Sequence, residues 1–245
     1  MPAKRSVERQ TVDDSQGSRK AITNKILVVA FGDSLTAGDQ PPRPGAPLPR
    51  STPYTDPLKK LVDGALAKIG KLKLVEVTIY NKGVSGETTS DMIRRLDSDI
   101  ISVKPHYTIV LGGSNDIGWG MESKEISDNL VQMYEKLSSK GIEVIACTVP
   151  SIIGADTYVK SRLELNEIIS DYCFDNDLVC VDLFSATVDP KTKMLDKKYS
   201  SSDGLHLSTA GYTKIADTIF EQAFAKLIPV WTVGQESTGS SIKSR

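Results

Sequence analysis

Short runs rich in Val and Ile recur along this chain, and a longer stretch of helical periodicity follows each one. That alternation limits the fold more than any other feature of the sequence. The runs lie at 25–31, 72–80, 107–111, 142–148 and 178–184, and their short length and Val/Ile content are those of strands buried on both faces. Between them, Asp56-Pro57 is an N-cap and first-turn signal, and Leu58, Leu61, Val62, Ala65, Leu66 and Ile69 mark one helical face. Met92, Ile93, Leu96 and Ile100 repeat the pattern after Thr88-Thr89-Ser90, and Ile126, Leu130, Met133, Tyr134 and Leu137 repeat it again before Gly141. A fourth helix is expected around Leu163–Tyr172, and a last one from Thr209 to Leu227 with Pro229 beyond it. Strict β-α alternation with strands buried on both faces implies a doubly wound parallel sheet, an α/β domain with helices on both sides. The domain is expected over 25–230, with a polar, flexible N-terminal tail at 1–24 and a disordered Ser/Gly/Thr-rich tail at 231–245.

Composition removes several function classes. A formal net charge of -1 gives no basis for nucleic-acid binding, and no apolar run approaches a membrane span. Three cysteines, Cys147, Cys173 and Cys180, have no paired spacing, so neither a disulfide framework nor a zinc site is expected. No metal or other cofactor is implied. The first 24 residues lack the apolar core of a signal peptide, so a cytoplasmic location is the default, or a secreted one if a leader has been removed.

In an open parallel sheet, ligands bind beyond the carboxyl ends of the strands. Gly32-Asp33-Ser34-Leu35 follows the first run, Asn81-Lys82-Gly83 the second, and Gly113-Ser114-Asn115-Asp116 the third; Asp203-Gly204-Leu205-His206 comes after the fifth. Ser34 would sit at a helix start, where backbone N–H groups stabilise negative charge. Asp33 and Ser34 could equally be plain capping residues. A serine nucleophile needs an adjacent base, and only His106 and His206 are available. His106 precedes the third strand, at the wrong end of the sheet. His206 has Asp203 three residues before it, within reach to orient the imidazole. Gly83 lacks a Cβ, so its N–H can come close to a ligand; Asn115 offers a carboxamide NH₂, and the Ser34 N–H is a third donor. Taken singly, each could be a turn residue.

These blocks resemble the GDSL esterase/lipase family, in particular its SGNH hydrolase subgroup, in the same order from Ile26 to about Tyr212. The resemblance implies a three-layer α/β/α, flavodoxin-like fold. It also implies a Ser34–His206–Asp203 triad and an oxyanion hole of Ser34, Gly83 and Asn115. Asp33 is expected to brace the turn rather than handle protons. The implied substrate is a small ester: a lysophospholipid, an aryl ester or an acyl thioester, with an acetylated carbohydrate as the alternative and acyl transfer to an alcohol as a variant of the same chemistry. A non-catalytic flavodoxin-like binding domain is the rival class, but no phosphate-binding glycine motif is present, and the G-x-S-x-G elbow is absent too. Trp119, and the segment 39–53 with six of the twelve prolines, are candidate walls of the cleft. That segment is expected to be too proline-rich to pair as a strand. Oligomeric state is not legible.

Overall fold

Strand β1 (Asn24–Gly32), flanked by a strand on either side, shows why such a run is apolar. Ile26, Val28 and Ala30 point into one core, while Val29 and Phe31 point into a second core on the opposite face. With period two and helices on both sides, no position in the strand's middle is left for water. A computed structural model describes residues 24–42, 48, 50–154 and 157–232 of the chain. The expectations for the far tails therefore lie outside the described residues.

After β1 come α1 (Ser34–Ala37), β2 (Asp39–Gln40), β3 (Arg50–Ser51), α2 (Thr55–Lys68), β4 (Val75–Gly83) and α3 (Thr89–Leu96). The chain continues through β5 (Tyr107–Leu111), α4 (Ser114–Gly118), α5 (Ser123–Ser139), β6 (Glu143–Cys147) and α6 (Thr157–Asp175). It closes with β7 (Val179–Val181), α7 (Leu183–Thr187), α8 (Thr209–Ile219) and α9 (Ala225–Thr232). The main sheet is wholly parallel, in the order β4-β1-β5-β6-β7, which is the flavodoxin-like order. Residues of α2, α8 and α9 fill one core, and residues of α3, α5 and α6 fill the other. The three-layer α/β/α fold is as expected. Strand order reverses across β1, so a crevice opens at its carboxyl end, between β4 and β5.

Several boundaries differ from the sequence reading. The second strand starts at Val75 rather than at 72 and runs on to Gly83, because residues 72–74 form a turn whose Leu72 is exposed. The fifth strand stops at Val181, since the Asp182 side chain accepts from the Ser185 N–H and starts α7. Pro229 lies inside α9 instead of beyond the last helix. A proline in a helix costs about 3 kcal/mol, but Ile228 and Trp231 are both buried there, and each such burial is worth roughly 1.5–3 kcal/mol. Trp231, assigned to the tail by sequence, also donates from Nε1 to the Tyr107 hydroxyl at 3.0 Å.

The proline-rich segment is corrected as well. Its ends do pair, antiparallel, with Asp39 opposite Ser51 and Gln40 opposite Arg50. None of those four residues is a proline, so ladder donors remain available. Residues 43–47 and 49 lie outside the described residues. Cys147, Cys173 and Cys180 are free thiols. Among the described residues, no helix is long and apolar enough to cross a membrane.

Candidate active site

The turn at the end of β1 is built tightly. Asp33 caps α1, its Oδ1 accepting from the Leu35 N–H at 2.9 Å, which leaves Ser34 as the first helical residue. The helix lasts one turn because Gly38 takes φ 83°, a left-handed conformation that suits glycine, and returns its N–H to the Ser34 carbonyl. Ser34 is largely buried, 8% exposed.

The second half of the site comes from an irregular loop ordered by local hydrogen bonds. Asp203 Oδ1 accepts from the backbone N–H groups of Leu205 and His206, each at 2.9 Å, and from the Ser201 hydroxyl at 2.6 Å. Its Oδ2 meets His206 Nδ1 at 2.7 Å, and His206 Nε2 lies 3.1 Å from Ser34 Oγ. Partial burial alone would raise the Asp203 pKa, but the bonds from Ser201 and His206, with the backbone N–H groups of His206 and Leu205, outweigh it and hold it at about 2. A carboxylate can only accept, so Nδ1 carries the proton and Nε2 is left to accept from the serine hydroxyl. The residues singled out in two distant parts of the sequence are thus joined by one imidazole.

Of the three expected oxyanion donors, Ser34 and Asn115 follow the carboxyl ends of β1 and β5. Gly83 ends β4 beside them with its N–H turned away from β1, because the Val84 N–H is the one that donates to the Gly32 carbonyl. Ser34 N–H stands in the first turn of α1, where no intrahelical acceptor exists. Gly83 ends β4 against the backbone of α1, where a Cβ would fall 2.1 Å from the Ala37 nitrogen. Its missing side chain therefore first serves helix–strand packing, not ligand approach. Its N–H is not vacant either, since it donates to Asn81 Oδ1 at 2.8 Å. Asn115 Nδ2 donates to the Glu87 carbonyl at 2.8 Å, which leaves its second amide hydrogen.

Two carboxyls lie beneath this face. Asp33 is 1% exposed and its Oδ2 has no hydrogen-bond partner. Burial pushes its carboxyl up to about 7; the Leu35 N–H pulls it back, Asp116 raises it further and His206 lowers it. Asp116 is buried and fully engaged, accepting from the Thr89 N–H and, at 2.5 Å, from the Thr89 hydroxyl.

His106 sits at the opposite end of the sheet, where its Nδ1 accepts from the Leu27 N–H at 3.0 Å. Trp119 is 79% exposed, so it is not a packing residue. Among the described residues, no group of three or more His, Cys, Asp or Glu could hold a metal ion. Sequence reasoning gave no role to Asn81, Asp116 or Arg95. Asn81 ties α1 to β4 by donating to the Thr36 carbonyl at 2.6 Å while accepting from Gly83. An asparagine two residues before a glycine at a strand end was the signal available for it.

The model of the GDSL-like lipase/acylhydrolase family matches residues 30–214. Over 132 residues the chain is 31% identical to the uncharacterized lipoprotein YqeF of Bacillus subtilis, covering 51% of this chain and 49% of that protein. Over 123 residues it is 31% identical to an arylesterase of Vibrio mimicus, covering 50% of this chain and 53% of that protein. It thus spans about half the length of the curated relatives it matches. The solved lipase/acylhydrolase from Enterococcus faecalis is similar at TM-score 0.63 and 26% identity, over 84% of this chain and 96% of that one. An acetylxylan esterase from Geobacillus stearothermophilus, at TM-score 0.65 and 21% identity over 84% of this chain and 96% of that one, shares the fold.

Proposed function

The chain belongs to the GDSL-like lipase/acylhydrolase family, and from that membership we propose that it is a serine carboxylic-ester hydrolase whose nucleophile is Ser34. The observation that carries this reading is the single imidazole of His206, 3.1 Å from Ser34 Oγ on one side and 2.7 Å from Asp203 on the other. Ser34 Oγ attacks the ester carbonyl while His206 Nε2 takes its proton, and Asp203 stabilises the imidazolium. The tetrahedral oxyanion is held by the N–H of Ser34 and the remaining amide hydrogen of Asn115, while the Gly83 N–H, expected as a third donor, is taken by Asn81 Oδ1 on the side of β4 away from β1. His206 then protonates the leaving alcohol, and the acyl-enzyme is released by water activated on the same nitrogen. Asp33 takes no proton in this scheme; it caps the helix that presents Ser34.

For substrate we propose a small ester with an apolar acyl or aryl group, lysophospholipids and acyl thioesters included. The likeness to the Vibrio mimicus arylesterase supports the aryl side of that choice. Trp119, solvent-facing and four residues after Asn115, is proposed as a rim residue of the cleft. The test is kcat/KM for p-nitrophenyl esters from acetyl to palmitoyl, with Ser34→Ala as the blank. A peak at acetyl or butyryl is expected for an aryl esterase and would bring acetylated sugars forward as substrates; a peak at eight carbons or more would assign lipids or thioesters. Wild type equal to the blank at every chain length would overturn ester hydrolysis.

A further inference from the structure

Arg95, near the end of α3, reaches across to the carboxyl ends of both β1 and β4. Its Nη2 donates to the Gly32 carbonyl at 3.0 Å and its Nη1 to the Lys82 carbonyl at 2.9 Å. Nε donates to Glu87 Oε2 at 2.6 Å, and Nη1 also meets Asp99 Oδ2 at 3.0 Å. The guanidinium lies over the Phe31 ring, 4.3 Å from its centroid, with the side chain only 15% exposed. One rigid fork thus spends its donors on two backbone carbonyls and two carboxylates, which a lysine ammonium could not do in the same plane.

The backbone groups it holds are the relevant ones. A trans peptide is planar, so its C=O and N–H point in opposite directions. The Lys82 carbonyl and the Gly83 N–H belong to one peptide unit, so fixing the oxygen toward β1 fixes that N–H on the opposite side, where it donates to the Asn81 Oδ1 that also ties β4 to α1. A cation on the oxygen also polarises the N–H and strengthens it as a donor. The Gly32 carbonyl lies on the peptide that enters the Asp33-Ser34 turn. The third contact, Glu87, belongs to the residue whose backbone carbonyl accepts from Asn115 Nδ2 at 2.8 Å. The guanidinium therefore meets the ends of β1 and β4 directly, and reaches Asn115 at one remove through the Glu87 loop.

We propose that Arg95 is a positioning residue that aligns the oxyanion hole by clamping the ends of β1 and β4 and the Glu87 loop. This rests on the ester-hydrolase reading for its kinetic consequence, but not for its structural one. The test pairs kinetics on p-nitrophenyl butyrate with ¹H–¹⁵N spectra of the free protein for Arg95→Lys and Arg95→Met. Arg94→Lys, a neighbour on the same helix whose side chain is 71% exposed and pairs with Asp91, serves as control. Expected for Arg95→Lys is a loss of roughly 10–100-fold in kcat, less than the roughly 10²–10³ of removing an oxyanion donor outright because the donors are displaced and not deleted, with KM changed less than about threefold. The pH dependence of kcat/KM should keep its shape, because the His206–Asp203 pair is not touched, and the Gly83 amide resonance should shift. Arg94→Lys should change neither. Arg95→Met should lose more than Arg95→Lys; if it does not fold, Arg95→Lys alone decides. An unchanged kcat per folded molecule, or a raised KM with kcat intact, would overturn the clamp. If the wild type turns over no ester, the ester-hydrolase reading fails on its own, and an unmoved Gly83 amide in Arg95→Lys would still overturn the positioning role.

Discussion

Ser34 and His206 meet across 3.1 Å, yet the two halves of the site are held by different kinds of structure. The Ser34 half grows out of a strand buried on both faces: Val28, Val29, Ala30 and Phe31 are fully buried, and the turn that follows is capped by Asp33 and pinned to β4 by Asn81. The Asp203–His206 half lies on a loop with no regular element, shaped by the Asp203 carboxylate gathering two backbone N–H groups and the Ser201 hydroxyl. One half is positioned by the hydrophobic core; the other is shaped by hydrogen bonds around one charge and anchored at its end by Leu207, buried in the core next to His206. A scaffold made this way keeps the nucleophile rigid and makes the placement of the base depend on ionisation.

The sharpest way to break that contrast is to remove one reacting group from each half. Ser34→Ala and His206→Ala should each lower kcat by roughly 10⁴–10⁶ with melting temperature almost unchanged, since neither side chain holds its own backbone in place. Steady-state kinetics and thermal unfolding of the two variants check this, and a residual rate above about 1% in either would remove that residue from the chemistry.

Asp203→Asn comes next, with kcat expected to fall about 10⁴-fold because the imidazole loses its oriented tautomer. It also tests the charge-built half directly. The folded pKa of Asp203 is about 2, below the ordinary 3.8, so its contribution to stability is fully present above that ordinary value and is lost as pH falls toward 2. Urea unfolding between pH 4 and pH 2 should show a shallower loss of stability in the variant than in the wild type.

Asn115→Ala should cost about 10²–10³ in kcat at nearly constant KM, as expected for one oxyanion donor. A change in KM alone would make Asn115 a substrate-binding residue.

The smallest effect on turnover is expected for Asp33→Asn, within about tenfold, because asparagine also caps helices well. Its signature lies in stability. Asp33 is raised to about 7 from 3.8, so between those values the folded state holds a proton that the unfolded chain has released. Its contribution is therefore present at low pH and is lost as pH rises through that window, by about 1.4 kcal/mol per pH unit for one proton. The asparagine variant should lack that slope in denaturant titrations from pH 4 to pH 7.

The Ser34 half was the more legible one, because a strand buried on both faces writes itself as a continuous apolar run and Gly-Asp-Ser marks where it ends. Asp203 and His206 could be read only through turn chemistry and spacing. Where the reading slipped, a local contact had overridden the pattern: Asp182 capping α7 cut the fifth strand short, and the burial of Trp231 carried a helix through Pro229. Gly83 reads from sequence as an N–H open to a ligand or as a turn residue, whereas its missing Cβ makes room for the Ala37 backbone, a tertiary demand that no local pattern carries. Arg95 escaped for the same reason, since its carbonyl partners at Gly32 and Lys82 lie on two other elements.

The most direct measurement is intact-protein mass spectrometry after treatment with a fluorophosphonate, followed by peptide mapping of the adduct. The expected result is one phosphonyl group on Ser34, absent in Ser34→Ala and formed far more slowly in His206→Ala. An unlabelled folded protein, or an adduct on any other residue, would contradict Ser34 as the activated nucleophile.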